Sequence, residues 1–276
     1  MPTPRRFSIV LPVYNVRAYL RQCLDSILSQ SFGDFELIAV DDASPDHSGA
    51  ILDDYAKTDP RLRVIHLDKN VGLGLAREAG IATATGDYLL FVDSDDYMTP
   101  DSLQAISDRI DETDRPDIVI FDYARKYWTR RTVRNKLAQL LAQTDPQVFT
   151  IDERPKLLTM LQVVWNKAYR RDFVVERELR FNPGYYEDTS WTYPALLSAK
   201  RIAVLDMVCI HYRMRREAGN ILKSRSRKHF DIFDQWDLTW AYVDRHADLA
   251  RWRPFLMRRE LDHLTTILDK PRRLPA

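Results

Sequence analysis

The first part of the chain alternates between two hydrophobic patterns. Short continuous apolar runs predict strands at Phe7–Val13, Phe35–Val40, Leu62–Leu67, Tyr88–Val92 and Asp117–Tyr123. Between the strands, apolar side chains recur every three or four residues. This spacing predicts helices over Leu20–Leu28, from Ser44–Pro45 to about Lys57, over Leu73–Ala84 and from Thr99–Pro100 onward. Strands that alternate with helices in this way predict an α/β fold, in which a doubly wound sheet carries helices on both faces.

Beyond residue 123 the pattern changes. Residues 150–215 mix helical stretches with short strands, and residues 223–276 look helical and basic. We therefore predict a main domain over residues 1–222, made of the halves 1–123 and 124–222. A helical extension over 223–276 follows and could lead into a further domain.

Composition narrows the class of protein. The 276 residues are 45% hydrophobic and 29% charged, which is ordinary for a soluble globular chain, and a net charge of +1 gives no reason to expect nucleic acid. Two distant cysteines, Cys23 and Cys209, predict neither a disulfide framework nor a zinc site and fit a cytoplasmic location. No apolar run approaches the roughly 20 residues that span a bilayer, and the N-terminus lacks a signal-type apolar segment. Peripheral contact with the inner face of the membrane stays open.

Acidic residues follow two of the predicted strands directly. Asp41 and Asp42 come after the second strand, and Asp93-Ser94-Asp95-Asp96 comes after the fourth. Ligands of such sheets bind at the carboxyl ends of the strands. Carboxylates at positions i and i+2 can converge on one ion, and Mg²⁺ and Mn²⁺ commonly share oxygen ligands with substrate phosphates. The sequence therefore predicts a cation and diphosphate site here, although Asp and Ser are also ordinary turn residues.

An ordered set of motifs resembles family 2 of the inverting glycosyltransferases. The motifs are Ser8–Asn15 (SIVLPVYN), Ala39–Asp46 (AVDDASPD), Asn70–Arg77 (NVGLGLAR), Gly86–Tyr88 (GDY), Asp93–Asp96 (DSDD), Trp165–Arg170 (WNKAYR), Glu187–Thr189 (EDT) and Tyr212–Arg215 (YRMR). The resemblance covers about residues 7–222. Glu78 departs from it, because many members have Asn there, and the Gln-x-x-Arg-Trp motif of processive, membrane-embedded members is missing.

The resemblance implies a GT-A fold, a nucleotide-sugar donor of the UDP type and a divalent cation, Mn²⁺ or Mg²⁺. Residues 1–123 would then be the nucleotide-binding half and 124–222 the acceptor half. Asp95 would bind the metal, and Asp188 would be the catalytic base. The nucleotide site would be formed by Pro12, Tyr14, Asp41, Asp42, Asn70, Arg77, Asp93 and Ser94.

Several further residues have both a functional and a structural interpretation. Glu187 could orient Asp188, or the two could be an acidic pair at a helix N-terminus. His211 could complete the metal coordination or be a histidine at the sheet edge. Arg213 and Arg215, which share one face of a strand, could clamp phosphate or form a solvated pair.

The same two interpretations apply to the predicted acceptor side. Trp165 and Lys167 could shape the acceptor cleft or be a core aromatic and a surface lysine. The basic segments 125–136 and 223–228 could attract an anionic acceptor, such as a polyol-phosphate polymer or a lipid-linked diphosphate, or be solvated faces.

We therefore predict an inverting transfer of a sugar to an acceptor hydroxyl during synthesis of a cell-surface polysaccharide, capsule or teichoic-acid-type polymer. Two alternatives remain. A nucleotidyltransferase would use a similar fold, but the glycine-rich phosphate loop that it usually carries is missing. A non-catalytic nucleotide-sugar-binding module would be expected to have lost the acidic residues that are present here.

Overall fold

The computed structural model describes residues 5–142, 147–215, 225–269 and 274. The strands in these ranges are β1 (Phe7–Val13), β2 (Phe35–Asp41), β3 (Leu62–His66), β4 (Tyr88–Phe91), β5 (Tyr97–Met98), β6 (Ile118–Tyr127), β7 (Thr132–Arg134), β8 (Lys167–Arg170) and β9 (Ile202–Met214). The α-helices are α1 (Arg17–Leu28), α2 (Ser48–Ala56), α3 (Leu73–Ile81), α4 (Ser102–Glu112), α5 (Arg171–Glu176), α6 (Asp188–Ser198), α7 (Asp231–Arg245) and α8 (Arg253–Leu268).

All of these strands belong to one mixed sheet in the order β3-β2-β1-β4-β8-β6-β9-β5, and β7 pairs with β6 outside this path. The first four strands are parallel to one another. Strand β8 runs antiparallel between β4 and β6, whereas β6 and β9 are parallel. The α/β prediction of a doubly wound mixed sheet with a C-terminal helical extension is confirmed.

Both faces of the sheet are buried because successive side chains of a strand point to opposite sides. On β2, Leu37 and Ala39 pack into the same cluster as the apolar residues of α1, α2 and α4. Ile38 and Val40 of the same strand pack with Ala76 of α3 on the other face. Helices α6, α7 and α8 join the largest cluster, which contains Leu89 and Phe91 of β4. The C-terminal helices are therefore part of the main core.

The predicted starts of two helices were wrong. Helix α2 begins at Ser48 rather than at Ser44–Pro45, because Ser44 donates its backbone N–H to Asp41 and its hydroxyl to Val13. Asp46 accepts from Ser48 instead and marks the true start. Helix α4 begins at Ser102 rather than at Thr99–Pro100, because Thr99 remains hydrogen-bonded to β9. Val13 and the β9 partners of Thr99 lie far from these residues in the chain, so the local pattern could not anticipate them.

The predicted boundaries fall at informative places. The division at residue 123 lies inside β6, so one continuous strand joins the two predicted halves. The boundary at residue 222 and part of the basic segment 223–228 lie outside the described residues. Within the described ranges, no helix combines the length and the apolar character that crossing a bilayer requires.

Candidate active site

The sheet brings the predicted acidic motifs to one edge. Val13 of β1 is paired with Asp41 of β2, and Val10 of β1 is paired with Phe91 of β4. Because these strands are parallel, the residues that follow them emerge on the same side. The Asp41–Asp42 and Asp93–Asp96 segments therefore lie at neighbouring strand ends, as the sequence predicted.

Asp42 holds the loop that leads into α3. Its carboxylate accepts hydrogen bonds from the backbone N–H groups of Val71 at 2.7 Å and Gly72 at 2.9 Å, and from Asn70 Nδ2 at 2.8 Å. Gly72 has a φ of +91°, a conformation that side-chain-bearing residues rarely adopt. Asp42 and Asn70 are thus brought together as predicted, and here the Asp42 carboxylate shapes the loop.

Asp41 is linked to a histidine that the sequence did not single out. Its carboxylate lies 3.0 Å from His66 Nδ1, and His66 Nε2 lies 3.0 Å from Asp53. Hydrogen bonds to Asp53 and Asp41 raise the pKa of His66. Nearby, Pro12 is buried in β1, whereas the Tyr14 ring is 47% exposed and available for contact.

A buried guanidinium gathers three carboxylates from distant parts of the chain. Arg77 Nη1 donates to Glu187 Oε1 at 2.8 Å and to Asp188 Oδ1 at 2.7 Å, and Nη2 donates to Asp93 Oδ1 at 2.7 Å. The Arg77 side chain is only 1% exposed. These four residues, called the Arg77 cluster below, bring the carboxyl end of β4 against the start of α6.

One positive charge faces three acidic groups in this cluster, and burial raises the proton affinity of two of them. Burial and the charge of Asp188 raise the pKa of Glu187 to about 8. Burial also raises the pKa of Asp188, against the attraction of Arg77. Glu187 is the more enclosed, because its side chain is 5% exposed and that of Asp188 is 17% exposed. Asp188 is therefore the more exposed of the two carboxylates at the start of α6.

Lys167 is a buried neighbour of this cluster and not the surface lysine of the structural interpretation. Its ammonium group donates to the carbonyl oxygen of Val163 at 2.6 Å and to Asn166 Oδ1 at 2.7 Å. Burial lowers the pKa of Lys167 to about 7, and the negative charge of Asp188 opposes that shift. The residue can therefore influence the charge of the cluster near neutral pH.

A second acidic group at the same strand end faces two arginines, Arg213 at the end of β9 and Arg215 just after it. Arg215 Nη2 lies 2.6 Å from Asp95 Oδ2, and the backbone N–H of Arg213 donates to Asp96 Oδ1 at 2.7 Å. Arg213 Nε also donates to the carbonyl oxygen of Asp95 at 2.7 Å. Asp95, Asp96, Arg213 and Arg215 are called the β9 cluster below. Both arginines are thus held by the acidic motif, so they are not the solvated pair of the structural interpretation.

A divalent cation fits this place if the donor shares in holding it. Asp95 is partly exposed, and burial raises its pKa, as it does for Asp96. Asp96 Oδ2 is buried without a hydrogen-bond partner in the described ranges. Within the same ranges no three His, Cys, Asp or Glu side chains are grouped to hold a metal alone. One or two carboxylates together with substrate phosphates are a common arrangement for Mg²⁺.

The structure also locates three further predicted residues: His211, Ser94 and Trp165. His211 lies opposite Tyr97 in the β5–β9 pairing, with its ring 4.9 Å from the tyrosine ring, and burial lowers its pKa. Ser94 is buried beside Asp93. Trp165 is 3% exposed and packs against Tyr123 and Tyr212, so it is a core residue in this structure and does not line an open acceptor cleft.

Two residues that support the site escaped the sequence analysis as functional. Glu78, noted only as a departure from the family pattern, accepts a hydrogen bond from the backbone N–H of Phe181 at 2.6 Å. The Phe181 ring lies 5.2 Å from the Arg77 guanidinium carbon. No local pattern pairs residues this far apart, although an acidic residue one position after a buried arginine offers a weak indication.

Comparison with known proteins identifies the same family as the sequence motifs. The model of a family described as "Glycosyl transferase family 2" matches residues 8–177. EpsJ of Bacillus subtilis, named as a glycosyltransferase, is 36% identical over 209 residues, covering 75% of this chain and 60% of EpsJ. EpsH of the same organism, also named as a glycosyltransferase, is 34% identical over 92% of this chain and 73% of EpsH.

TarS of Staphylococcus aureus, named as a poly(ribitol-phosphate) beta-N-acetylglucosaminyltransferase, is 30% identical over 78% of this chain but only 37% of TarS. The crystal structure of TarS 1-349 in complex with UDP matches with a TM-score of 0.64 at 26% identity, covering 91% of this chain and 74% of that one. The complex of TarS 1-349 with UDP-GlcNAc has a TM-score of 0.70 at 24% identity and supports the fold. The chain thus spans well under the full length of these relatives.

Proposed function

Because this chain belongs to glycosyl transferase family 2, we propose that it transfers a sugar from a nucleotide diphosphate donor to an acceptor hydroxyl, with inversion at the anomeric carbon. The Arg77 cluster is the observation that carries the proposal. It joins Asp93, at the strand end where the donor would bind, to Asp188, the more exposed of the two carboxylates at the start of α6. A single displacement needs a donor site and a base that face each other across one reaction centre.

Asp188 is the proposed base. It would accept the proton of the acceptor hydroxyl while the acceptor oxygen bonds to the anomeric carbon and the carbon–oxygen bond to the diphosphate breaks. The electron pair of that bond leaves with the nucleotide diphosphate. Arg77 would orient the base through its 2.7 Å hydrogen bond, and Glu187 would share the same guanidinium without reaching the acceptor. General base assistance of this kind contributes about 10²–10⁴-fold.

The proposed donor is a UDP-sugar, and UDP-GlcNAc is the first to test, because the matched TarS structures hold UDP and UDP-GlcNAc. Tyr14, Asp42 and Asn70 would bind the nucleoside at the ends of β1 and β2, together with Pro12 and Asp41. Asp93 and Ser94 would approach the ribose and the sugar. When bound, Mn²⁺ or Mg²⁺ would neutralise the diphosphate. Asp95 would hold the cation, with His211 as a further candidate ligand.

The proposed acceptor is a polyol-phosphate polymer, a carbohydrate or a lipid-linked precursor of a cell-surface polymer. The name of TarS supports the first of these, since that relative acts on poly(ribitol phosphate). The segment from residue 124 to residue 142 supports an anionic acceptor, because it contains basic but no acidic residues; of the basic ones, Arg134 is already paired with Asp122 and Asp206. We place the reaction in the cytoplasm, where nucleotide sugars are made, with peripheral membrane contact if the acceptor is lipid-linked.

The test is UDP release from a panel of UDP-, GDP- and CDP-sugars, measured with Mn²⁺ or Mg²⁺ and with or without poly(ribitol phosphate). We expect cation-dependent release that the acceptor accelerates. Thermal stabilisation by UDP without any release would instead support a binding module. Formation of pyrophosphate from UTP and a sugar phosphate would instead support a nucleotidyltransferase, and either outcome would overturn the proposal.

A further inference from the structure

The loop that carries the proposed base lies beyond the part of the chain that the family model matches. That match ends at residue 177, whereas the loop runs from Asn182 to Glu187 and leads directly into Asp188 at the start of α6. The position of Asp188 therefore depends on structure that is not part of the matched region. Helices α3 and α7 both contact this loop.

Helix α3 contacts the chain where the loop begins. Glu78 accepts from the backbone N–H of Phe181, as described above. A Cβ atom placed on Gly74 would lie 2.4 Å from the carbonyl oxygen of Asn182, so the helix and the loop leave no room for a side chain there. Because Arg77 lies on the same helix, α3 fixes both the guanidinium and one end of the loop.

Helix α7, in the C-terminal extension, contacts the middle of the loop. Asp231 Oδ2 accepts from the backbone N–H of Tyr185 at 2.9 Å. Gln235 Nε2 donates to the carbonyl oxygen of Pro183 at 2.9 Å, and its Oε1 accepts from the hydroxyl of Ser190 in α6 at 2.6 Å. The two α7 side chains thus bond to the backbone on both sides of Gly184 and to the first turn of the helix that Asp188 begins.

Close packing accompanies these hydrogen bonds. Gly184 has a φ of +104°, and a Cβ atom there would lie 3.0 Å from the Asp231 carboxylate. His229, which is fully buried just before α7, has its Nδ1 2.6 Å from the Tyr186 hydroxyl. Gln235 is also fully buried. Buried polar side chains that bond to a loop backbone fix its conformation, because leaving the bonds unmade is costly.

We propose that Asp231 and Gln235 of α7 are positioning residues that set the place of the Asp188 carboxylate, a proposal that rests on Asp188 being the base of the proposed transfer. The C-terminal extension then completes the active site. It does so without touching the donor, whose predicted contacts lie at the ends of β1, β2 and β4. Loss of the α7 hydrogen bonds should therefore affect turnover and not donor binding.

The experiment compares Asp231→Ala and Gln235→Met with two controls. Asp231→Asn keeps an oxygen that can accept from Tyr185. Asp234→Ala removes an exposed acidic residue from the same first turn of α7, and with it a similar interaction with the helix dipole. For each variant, kcat and KM are measured by UDP release from UDP-GlcNAc with poly(ribitol phosphate), and UDP affinity and thermal stability are measured alongside.

We expect Asp231→Ala and Gln235→Met to lower kcat by about 10- to 100-fold, the size expected when a catalytic group is misplaced by roughly an ångström. UDP affinity and the KM for the donor should stay within about twofold of the wild-type values. Both controls should retain kcat. In an Asp188→Asn background, Asp231→Ala should lower kcat no further, because its effect passes through that carboxylate.

Two results separate this inference from the proposed function. If Asp188→Asn retains normal turnover, the base assignment is wrong, and the positioning proposal falls with it. If Asp188→Asn loses turnover while Asp231→Ala and Gln235→Met retain it per folded molecule, only the positioning proposal is overturned. Equal losses for Asp231→Asn and Asp231→Ala would also overturn it, because the charge of Asp231 and not its bond to the loop would then matter.

Discussion

The Arg77 cluster and the β9 cluster contain Asp93 and Asp95, which are only two residues apart, but they differ in the ratio of acidic to basic groups. In the Arg77 cluster, a single buried guanidinium serves three carboxylates, so acidic groups are in excess. In the β9 cluster, Asp95 and Asp96 face an equal number of arginines, and Asp95 is partly exposed. We call the first cluster closed, because the side chain of its cation is 1% exposed, and the second open, because the Arg215 side chain is 12% exposed.

The difference suggests which cluster does which part of the chemistry. An excess of buried carboxylates raises proton affinity, as it does for Glu187, and a base that must take up a proton gains from such an environment. Burial raises the pKa of Asp95 and Asp96 as well, but these two carboxylates face two arginines, which could turn to phosphate when a donor arrives. The proton would therefore be handled at the Arg77 cluster and the diphosphate at the β9 cluster.

The largest expected effect comes from removing the cation of the closed cluster. Arg77→Met would leave Asp93, Glu187 and Asp188 without their shared partner. Leaving a buried charge unpaired typically costs about 3–5 kcal/mol. We expect a loss of that size in the free energy of unfolding, measured by urea denaturation in the absence of ligand.

Arg215→Met is the matched variant in the open cluster. Asp95 can be hydrated when Arg215 is removed, so we expect less than half the loss seen for Arg77→Met. Equal losses for the two variants would contradict the distinction between a closed and an open cluster.

The next effect is on the rate. Asp188→Asn keeps the shape of the side chain and removes its ability to accept a proton from the acceptor. We expect kcat to fall by about 10²-fold or more, with UDP affinity unchanged, when UDP release is measured with acceptor. Asp234→Ala, on the exposed face of α7, serves as the control for loss of an acidic group. Near-normal turnover of Asp188→Asn would move the base to another residue.

A smaller effect is expected for donor binding at the open cluster. Asp95→Asn should weaken UDP binding in the presence of Mn²⁺ by about tenfold or more, since even the groups that support metal ligands are often worth 10- to 100-fold in affinity. Without a cation, the variant and the wild type should bind UDP alike, as titration calorimetry can show. A Mn²⁺-dependent affinity that Asp95→Asn leaves unchanged would place the cation elsewhere.

The sequence predicted these clusters to an unequal extent. The family is confirmed, and so is the α/β sheet, because buried parallel strands and their helices leave a strong periodic pattern. Asp42, Asp93 and Asp95 follow strands directly, so a sheet model alone places them at one edge. The roles of the individual site residues stay predictions.

What the sequence could not supply are contacts between segments far apart in the chain. Arg77 was expected at the nucleotide site, yet here it binds three carboxylates, because the start of α6 meets α3 only in the folded chain. Trp165 and Lys167 are both buried, Trp165 against Tyr123 and Tyr212 and Lys167 against the carbonyl oxygen of Val163. The bonds from Asp231 and Gln235 to the base loop likewise depend on how α7 docks, which no local pattern encodes.

The last comparison concerns the pH dependence of stability, and it sets Glu187 against Lys167, the buried lysine beside the same cluster. The pKa of Glu187 is raised from 4.5 to about 8, so through that range the folded protein holds a proton that the unfolded chain has released. Its contribution to stability is therefore greatest below the unfolded pKa and is lost as the pH rises toward 8. Lys167, whose pKa is lowered from 10.5 to about 7, acts in the opposite direction above pH 7.

Glu187→Gln should therefore flatten the fall in unfolding free energy between about pH 5 and about pH 7, where Lys167 remains protonated. Lys167→Met should leave that range unchanged and remove the rise above about pH 7, and a Glu187→Gln profile parallel to the wild type would show that the carboxylate excess does not retain a proton.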